Sequence, residues 1–188
     1  VAVKVLGAQG RSVGNARARL QREARTLAAL VHPNLVTLLD YDVLPDGSPA
    51  MVMEFVDGVN LQSLLSAHAF TPEEILRVLD QTLAALVACH ERGVIHRDLK
   101  PGNLLVDASS MAVKVIDFGI VQLLGDEGAT ALTVNGEVFG SPRFMAPEQW
   151  QQGLVDARTD LYALGLIGYC MVLGQHFIRQ RNPVAVFE

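Results

Sequence analysis

The feature that most constrains the fold is a polar run without helical or strand periodicity, HRDLKPGN at residues 96–103. Two further motifs follow it in order: DFG at residues 117–119, directly after a short apolar strand, and APE at residues 146–148. The chain opens on VAVK, a strand-like run that places a lysine at position 4. Charged and amide side chains at such points are candidates for a functional site. The alternative is that they are turn residues that only satisfy local backbone groups.

Composition narrows the class of protein. The chain has 188 residues, 50% of them hydrophobic and 19% charged, so it can bury a sizeable core and is not a disordered segment. Its formal net charge is −5, from 15 Lys and Arg against 20 Asp and Glu, which excludes the basic surface that a nucleic-acid backbone requires. Cys89 and Cys170 lie far apart in apolar runs, and we expect buried free thiols rather than a disulfide or a zinc site.

Hydrophobic periodicity predicts a small amino-terminal sheet followed by a mainly helical part. The expected elements are strands at 1–6, 35–41 and 50–55, a helix at 16–31, a short helix near 61–65, a long helix that Thr71 opens and Gly93 closes, strands at 104–106 and 113–116, and a helix at 159–173. The uncharged run from 161 to 178 is nearly long enough to span a membrane, but its glycines and polar residues favour a buried helix.

In this order, the VAVK, HRDLKPGN, DFG and APE motifs resemble those of the protein kinase catalytic domain, and in particular the eukaryotic-type Ser/Thr kinases of bacteria. The resemblance covers residues 1–188. It implies an α+β, bilobal fold that is truncated at both ends. Residues 1–56 would form a small sheet lobe with one helix, from the lysine strand to the hinge, and residues 57–188 a larger, mainly helical lobe. The family's glycine-rich loop is expected before Val1, and its last helices after residue 188.

The resemblance implies transfer of the γ-phosphate of ATP to Ser or Thr hydroxyls of proteins. Asp98 would orient the substrate hydroxyl and accept its proton. Lys100 would contact the same phosphoryl group, as in the Ser/Thr-specific pattern of the family. Asn103 and Asp117 would hold Mg²⁺, with Mn²⁺ as the alternative, through the hard oxygen ligands that such ions prefer.

The resemblance also assigns a nucleotide site. Lys4 would hold the first two phosphates and be held by Glu23, which interrupts the apolar stripe of the predicted helix at 16–31. The alternatives are a solvent-facing Glu23 and a lysine that snorkels from a sheet edge. The adenine would meet the carbonyl of Glu54 and the backbone of Val56, lie between Ala2 and Leu105, and have Met53 guarding the pocket behind it.

Regulation and bracing are implied in the same way. Arg97 would pair with a phosphate on the loop that follows DFG, where Thr133, ahead of Thr130, is the candidate phosphorylation site. Both threonines can also be read as ordinary solvated loop residues. Asp160 would brace the backbone of the 96–103 loop, and its alternative reading is a helix cap.

Other functions stay open at this point. A kinase fold can serve as a non-catalytic signalling module that binds partners, a related core can phosphorylate small molecules, and a truncated domain can be inactive. The intact set of Lys4, Glu23, Asp98, Asn103 and Asp117 favours an enzyme, and the HRDLKP and APE motifs favour protein substrates. We therefore expect ATP and a protein substrate as partners, no nucleic acid and no membrane contact from this segment. A cytoplasmic location is expected for the segment, although a full-length parent could be membrane-anchored.

Overall fold

The computed structural model describes residues 1–5, 26, 28–46, 48–117, 142–151 and 153–177. Two three-stranded antiparallel sheets and four helices make up this part of the chain. The elements are β1 (Ala2–Val5), β2 (Leu38–Val43), β3 (Pro49–Met53), β4 (Val59–Asn60), α1 (Leu61–Ala67), α2 (Pro72–His90), β5 (Leu104–Val106), β6 (Val113–Val115), α3 (Pro147–Trp150) and α4 (Ala157–Leu173), with short 3₁₀ turns at Pro101–Asn103 and Pro142–Phe144. The predicted α+β class is confirmed.

The first sheet has the order β1-β3-β2 and presents one face to the rest of the chain. Ala2 lies opposite Met53 across the β1–β3 pair. Since side chains alternate along a strand, Lys4 shares the face of Ala2 and Met53. Val3 and Val5 lie on the other face and are 62% and 53% exposed. The strand therefore directs Lys4 to the inner face of the sheet.

The second sheet has the order β4-β5-β6 and lies against the helices. Four side chains face the core and are fully buried: Leu104, Val106, Val113 and Val115. Leu105 and Lys114 form a cross-strand pair on the opposite face, where both are half-buried. The ends of β5 and β6 lie within one residue of those predicted from the sequence.

Helix α2 begins and ends where its sequence predicts. The Thr71 hydroxyl accepts a hydrogen bond from the Glu74 backbone N–H at 3.3 Å, and the Glu74 carboxylate accepts one from the Thr71 N–H at 2.8 Å, which completes a capping box. At the other end Gly93 has φ 72° and its N–H donates to the carbonyl of His90. A positive φ favours glycine, so the chain can turn there without strain.

Helix α4 starts earlier than predicted, at Ala157, because the carboxylate of Asp156 caps it by accepting from the Arg158 N–H at 2.8 Å. Asp160 is therefore not the cap; it lies one turn inside, with 1% of its surface exposed. The helix ends at Leu173, before Gly174 in a left-handed conformation. Six of its twelve apolar side chains are buried and three more are half-buried, as the core-helix interpretation predicts. Among the residues that the structure describes, no helix is long and apolar enough to cross a membrane.

The two cysteines are free and buried, as predicted. Burial is the main cause that raises the pKa of the Cys89 thiol to about 12, and the charge of Asp160 adds to it. Burial also raises the pKa of Cys170. Both side chains serve as small apolar groups of the core.

The predicted strand at 35–41 is only partly a strand. Pairing with β3 begins at Leu38, whereas Leu35 forms an isolated parallel bridge with Val115 of β6. The Val36 N–H donates to the Val115 carbonyl at 3.0 Å, and the Val115 N–H to the Asn34 carbonyl at 2.8 Å. After β1, the chain therefore contacts the second sheet before it returns to the first sheet as β2. The helix predicted at 16–31 lies mostly outside the described residues.

Helix α2 is fastened to the segment around residue 34 by one glutamine. The side chain of Gln81 accepts from the Asn34 amide and from the Val113 N–H, both at 3.0 Å. Its own amide nitrogen donates to the Met111 carbonyl at 2.7 Å and to the Arg77 carbonyl at 3.0 Å. All four hydrogen-bonding positions of this side chain are therefore used within the protein.

Candidate active site

The 96–103 loop places two polar side chains, an ammonium and an amide, around one carboxylate. Asp98 Oδ2 accepts from Lys100 Nζ at 2.7 Å and from Asn103 Nδ2 at 3.2 Å. The same Asn103 nitrogen donates to the Asp98 carbonyl at 2.8 Å. The 3₁₀ turn Pro101–Asn103 brings the amide back toward Asp98, and Asn103 is only 4% exposed. The ammonium and the amide hold the carboxylate in one orientation.

A second carboxylate, Asp117, meets the lysine of the first sheet. Lys4 Nζ lies 2.8 Å from Asp117 Oδ1, and about a third of each side chain is exposed. The preceding residue is held at both polar backbone groups, because the Ile116 N–H donates to the Asn103 carbonyl at 2.9 Å and His96 Nε2 donates to the Ile116 carbonyl at 3.0 Å. These bonds place Asp117 beside the 96–103 loop and bring all three chain segments together.

Asp160 fixes the start of the 96–103 loop. Its Oδ2 accepts from the His96 N–H at 2.9 Å and its Oδ1 from the Arg97 N–H at 2.9 Å. His90 Nε2 lies 2.7 Å from Oδ2 and supplies a further partner. Arg97 has φ 65°, a left-handed conformation that costs a non-glycine residue about 1–2 kcal/mol. The expectation that Asp160 braces this backbone is confirmed.

His96 is a structural side chain rather than a reacting one. Its ring is fully buried, and burial lowers its pKa, so the ring is neutral at physiological pH. With Nε2 donating to the Ile116 carbonyl, Nδ1 is left to accept from the Asp98 N–H at 3.3 Å. One neutral tautomer satisfies both contacts.

Glu54 uses its side chain to join the first sheet to the second. Its Oε1 accepts from Lys114 Nζ at 2.6 Å and from the Thr37 N–H at 2.9 Å, and Lys114 Nζ also donates to the Leu35 carbonyl at 3.0 Å. Partial burial acts to raise the pKa of Glu54, but the Lys114 ammonium and the Thr37 hydrogen bonds outweigh it and hold the pKa below 4.5. Because the carboxylate is anchored, the backbone at residue 54 is fixed relative to β6.

The side chains predicted to enclose the adenine lie on one face of each sheet. Ala2 and Met53 share the inner face of the first sheet with Lys4. Leu105 shares a face of the second sheet with Lys114, which contacts Glu54. Val56 is half-buried. The sandwich of the ring between Ala2 and Leu105 stays a prediction.

Three predicted site residues, Glu23, Thr130 and Thr133, lie outside the described residues. Arg97, the predicted phosphate partner, has a buried Nε with no hydrogen-bond partner among the residues that the structure describes. A buried guanidinium N–H without a partner is costly, so this atom is available to an acceptor.

Three contributions to the site were missed by sequence reasoning. No sequence pattern assigned a role to His90, which contacts Asp160, or predicted that Glu148 Oε1 accepts from the buried Thr159 hydroxyl at 2.6 Å. The third contribution is that of Lys114, and the chain has only three lysines. That scarcity is the signal that could have found it, since the other two, Lys4 and Lys100, both belong to the site.

The donor set suits a hard divalent cation. Asn103 directs its amide nitrogen at Asp98, so its Oδ1 points away and has no hydrogen-bond partner among the described residues. With the Asp117 carboxylate it offers the oxygen ligands that Mg²⁺ prefers. The described residues hold no group of three or more His, Cys, Asp or Glu side chains able to bind a metal.

Comparison with known proteins agrees with this geometry. The protein kinase domain model matches residues 1–187. The chain is 38% identical over 190 residues to serine/threonine-protein kinase PknB of Mycobacterium tuberculosis, and the alignment covers 99% of this chain and 30% of that protein. It is 42% identical over 163 residues to serine/threonine-protein kinase pkn3 of Myxococcus xanthus, and this alignment covers 84% of this chain and 30% of that protein. This chain thus spans less than a third of the length of these curated relatives.

Solved structures show the same fold. The kinase domain of PknI from Mycobacterium tuberculosis has a TM-score of 0.71, with 25% sequence identity, and covers 99% of this chain and 70% of that one. Rad53, residues 1–466 in complex with AMP-PNP, has a TM-score of 0.77 and 25% identity, and covers 98% of this chain and 44% of that one. The fold is that of the protein kinase domain. The chain belongs to the protein kinase family.

Proposed function

We propose that this chain is the catalytic core of a Ser/Thr protein kinase that transfers the γ-phosphoryl group of ATP to protein hydroxyls. The observation that carries the proposal is the convergence of Lys4 on Asp117 at 2.8 Å, beside a loop in which Asp98 is held by Lys100 and Asn103. Phosphoryl transfer needs aligned oxygens and neutralised charge, and little covalent work from the protein. An ammonium, two carboxylates and an amide in one place meet those needs.

Asp98 is proposed as the residue that orients the substrate hydroxyl and accepts its proton. The hydroxyl oxygen forms a bond to the γ-phosphorus, the bond from that phosphorus to the β,γ-bridging oxygen breaks, and ADP leaves with the electron pair. Lys100 is proposed to balance the charge of the transferred group, since its Nζ lies 2.7 Å from Asp98 Oδ2. The Asn103 hydrogen bonds keep the carboxylate directed at the hydroxyl.

Lys4 is proposed to hold the α- and β-phosphates, and Asn103 and Asp117 to hold Mg²⁺. The metal would neutralise the charge on the phosphate oxygens. The backbone of Glu54 and Val56 is proposed to bind the adenine edge, with Ala2, Met53 and Leu105 enclosing the ring. The Glu54 side chain supports this role, because it fixes the backbone through Lys114 and Thr37.

Arg97 is proposed to receive a phosphate on Thr133, or on Thr130, since its Nε is buried and unpartnered within the described residues. Phosphate would supply the acceptor that this atom lacks. Mass spectrometry of the active full-length protein tests the assignment. Finding both threonines unmodified in fully active protein would exclude it.

The test of the function is transfer of radiolabelled γ-phosphate from ATP to a generic protein substrate, followed by phosphoamino-acid analysis. We expect label on serine and threonine with the wild-type protein, and a loss of about 10²- to 10⁴-fold with Asp98→Asn, because the proton acceptor is removed. Asp80→Asn is the matched control, since Asp80 is an exposed carboxylate on α2.

Equal transfer by the wild-type protein and by Asp98→Asn would contradict the mechanism. Nucleotide binding without transfer by the wild-type protein would instead identify a non-catalytic kinase-fold module. Label that appears only on a small molecule would instead identify a kinase of small molecules.

A further inference from the structure

The peptide unit that links Arg97 to Asp98 is held at both of its polar groups. The Asp98 N–H donates to His96 Nδ1 at 3.3 Å. The Arg97 carbonyl accepts from the side-chain nitrogen of Gln149 at 2.8 Å, a contact across 52 residues of sequence. Gln149 lies in the short helix α3, directly after the APE motif. A residue outside the 96–103 loop therefore fixes the peptide unit on which Asp98 is carried.

Both ends of the Gln149 amide are committed. Its Oε1 accepts from the Ala146 N–H at 3.0 Å, at the start of α3, and its Nε2 donates to Arg97. These two partners set the orientation of the amide, because a backbone N–H needs the oxygen and a carbonyl needs the nitrogen. The side chain is half-buried, which limits competition from water. Gln149 thus ties the backbone of residues 146–149 to the backbone before Asp98.

The hydrogen bond from Gln149 is made to Arg97, the residue at which the loop backbone is strained. Arg97 has φ 65°, and the Asp160 carboxylate fixes its N–H. Rotation of the next peptide unit changes ψ of Arg97 and φ of Asp98, and so redirects the Asp98 side chain. Strained backbone persists only where its surroundings over-determine it. Asp160 fixes one side of Arg97, and Gln149 fixes the other.

We propose that Gln149 is a positioning residue for phosphoryl transfer, which acts by holding the Arg97–Asp98 peptide unit and couples the segment at 142–151 to Asp98. The inference rests on the proposed function. Within the described residues, the Gln149 side chain makes hydrogen bonds to Ala146 and Arg97 and none to Lys4 or to residues 53–56, so its loss affects the transfer step and leaves ATP binding unchanged. A misplacement of about 1 Å at a reacting group can slow a reaction about 10²-fold.

The chain offers two informative substitutions. Gln149→Glu keeps an oxygen for the Ala146 N–H but places a second oxygen against the Arg97 carbonyl, so it removes the donor and retains the cap. Gln149→Met has similar length and removes both contacts. Gln151→Glu is the matched control, because it makes the same charge change at an exposed position two residues further along.

The experiment measures kcat and KM for ATP with the full-length protein, at a phosphorylation state matched by intact mass and at a temperature where circular dichroism shows each variant folded. We expect kcat to fall about tenfold to a hundredfold in both Gln149 variants, with KM for ATP within about twofold of wild type. Gln151→Glu should match wild type. If Gln149→Glu does not fold, Gln149→Met decides.

A wild-type kcat in the folded Gln149→Met variant would overturn the inference, and so would a rise in KM for ATP as large as the fall in kcat. Failure of the proposed function has a different signature. A wild-type protein that transfers no phosphate, or transfers it without regard to Asp98, overturns both proposals, whereas unchanged Gln149 variants of an active protein overturn this one alone.

Discussion

Removing the Asp160 carboxylate should destabilise the protein and disable the 96–103 loop together. This buried side chain accepts from two backbone N–H groups, of His96 and Arg97, and contacts the ring of His90. A buried donor left without a partner costs about 1–3 kcal/mol. Asp160→Ala orphans both backbone donors, and we therefore expect a loss of about 2–6 kcal/mol in the free energy of unfolding.

Asp160→Asn should cost less. The remaining oxygen can still accept from the Arg97 N–H, and the new amide group can donate to His90 once that ring takes its other tautomer. The His96 N–H then loses its Asp160 acceptor, which gives a loss of about 1–3 kcal/mol. The free energy of unfolding should therefore be lowest for Asp160→Ala, intermediate for Asp160→Asn and highest for the wild-type protein.

Urea unfolding followed by circular dichroism measures both losses, and phosphate transfer is assayed on the same samples. Thermal midpoints should fall by about 2–4 °C per kcal/mol for a domain of this size. Asp80→Ala, on the exposed side of α2, is the control for removing a carboxylate. A loss below about 1 kcal/mol for Asp160→Ala would refute the reasoning, because it would mean that water or another acceptor replaces the carboxylate without cost.

Three further predictions follow. The folded protein holds the pKa of Glu54 below its ordinary value of 4.5, so this carboxylate stabilises the fold above that pH, and the stabilisation should be lost as pH falls through the folded pKa. Glu54→Gln should therefore flatten the dependence of the free energy of unfolding on pH, measured by urea unfolding between about pH 3 and 6. An unchanged slope in the variant would contradict this prediction. Cys89, with a pKa of about 12, should react with a thiol reagent at pH 8 only as fast as the protein unfolds, and rapid labelling of the native state would show that the thiol is accessible. Lys4→Met should abolish transfer while the free energy of unfolding changes by only about 0–1 kcal/mol, because the side chains of Lys4 and Asp117 are each about one-third exposed. A large loss of stability with activity retained would instead make Lys4 a structural residue and contradict its proposed role in binding ATP.

The parts of the fold predicted from sequence are those fixed by neighbours in the chain. The capping box at Thr71 and the glycine at 93 set the limits of α2 through contacts within three residues, and both were read correctly. The start of α4 was missed because Asp156 lies outside the apolar pattern that defined the helix. Strand ends differed where pairing decides them: Leu35 is apolar and strand-like, but its partner is Val115 rather than β3.

The side chains of the candidate site, and the contact of Asp160 with the 96–103 loop, were predicted from the motifs and the resemblance, whereas the other supporting contacts were not. Asp98, Asn103 and Asp117 stand within recognisable runs of sequence. The partners of Glu54 and Arg97 do not, since Lys114 lies 60 residues from Glu54 and Gln149 lies 52 residues from Arg97. A hydrogen bond across such a distance depends on how the sheets and helices meet. Periodicity gives the face on which a residue lies but not the atom opposite it.

The contacts of β6 fasten the chain on both sides of the β2–β3 pair. The Leu35 carbonyl, ahead of β2, and the Glu54 carboxylate, directly after β3, both accept from Lys114 Nζ, and the Val115 backbone is hydrogen-bonded to Asn34 and Val36. Asp117 follows this strand after one residue, whereas Lys4 lies on β1, which none of these bonds reaches. We therefore expect any motion that keeps these bonds to change the distance from Lys4 Nζ to Asp117 Oδ1 mainly by displacing Lys4.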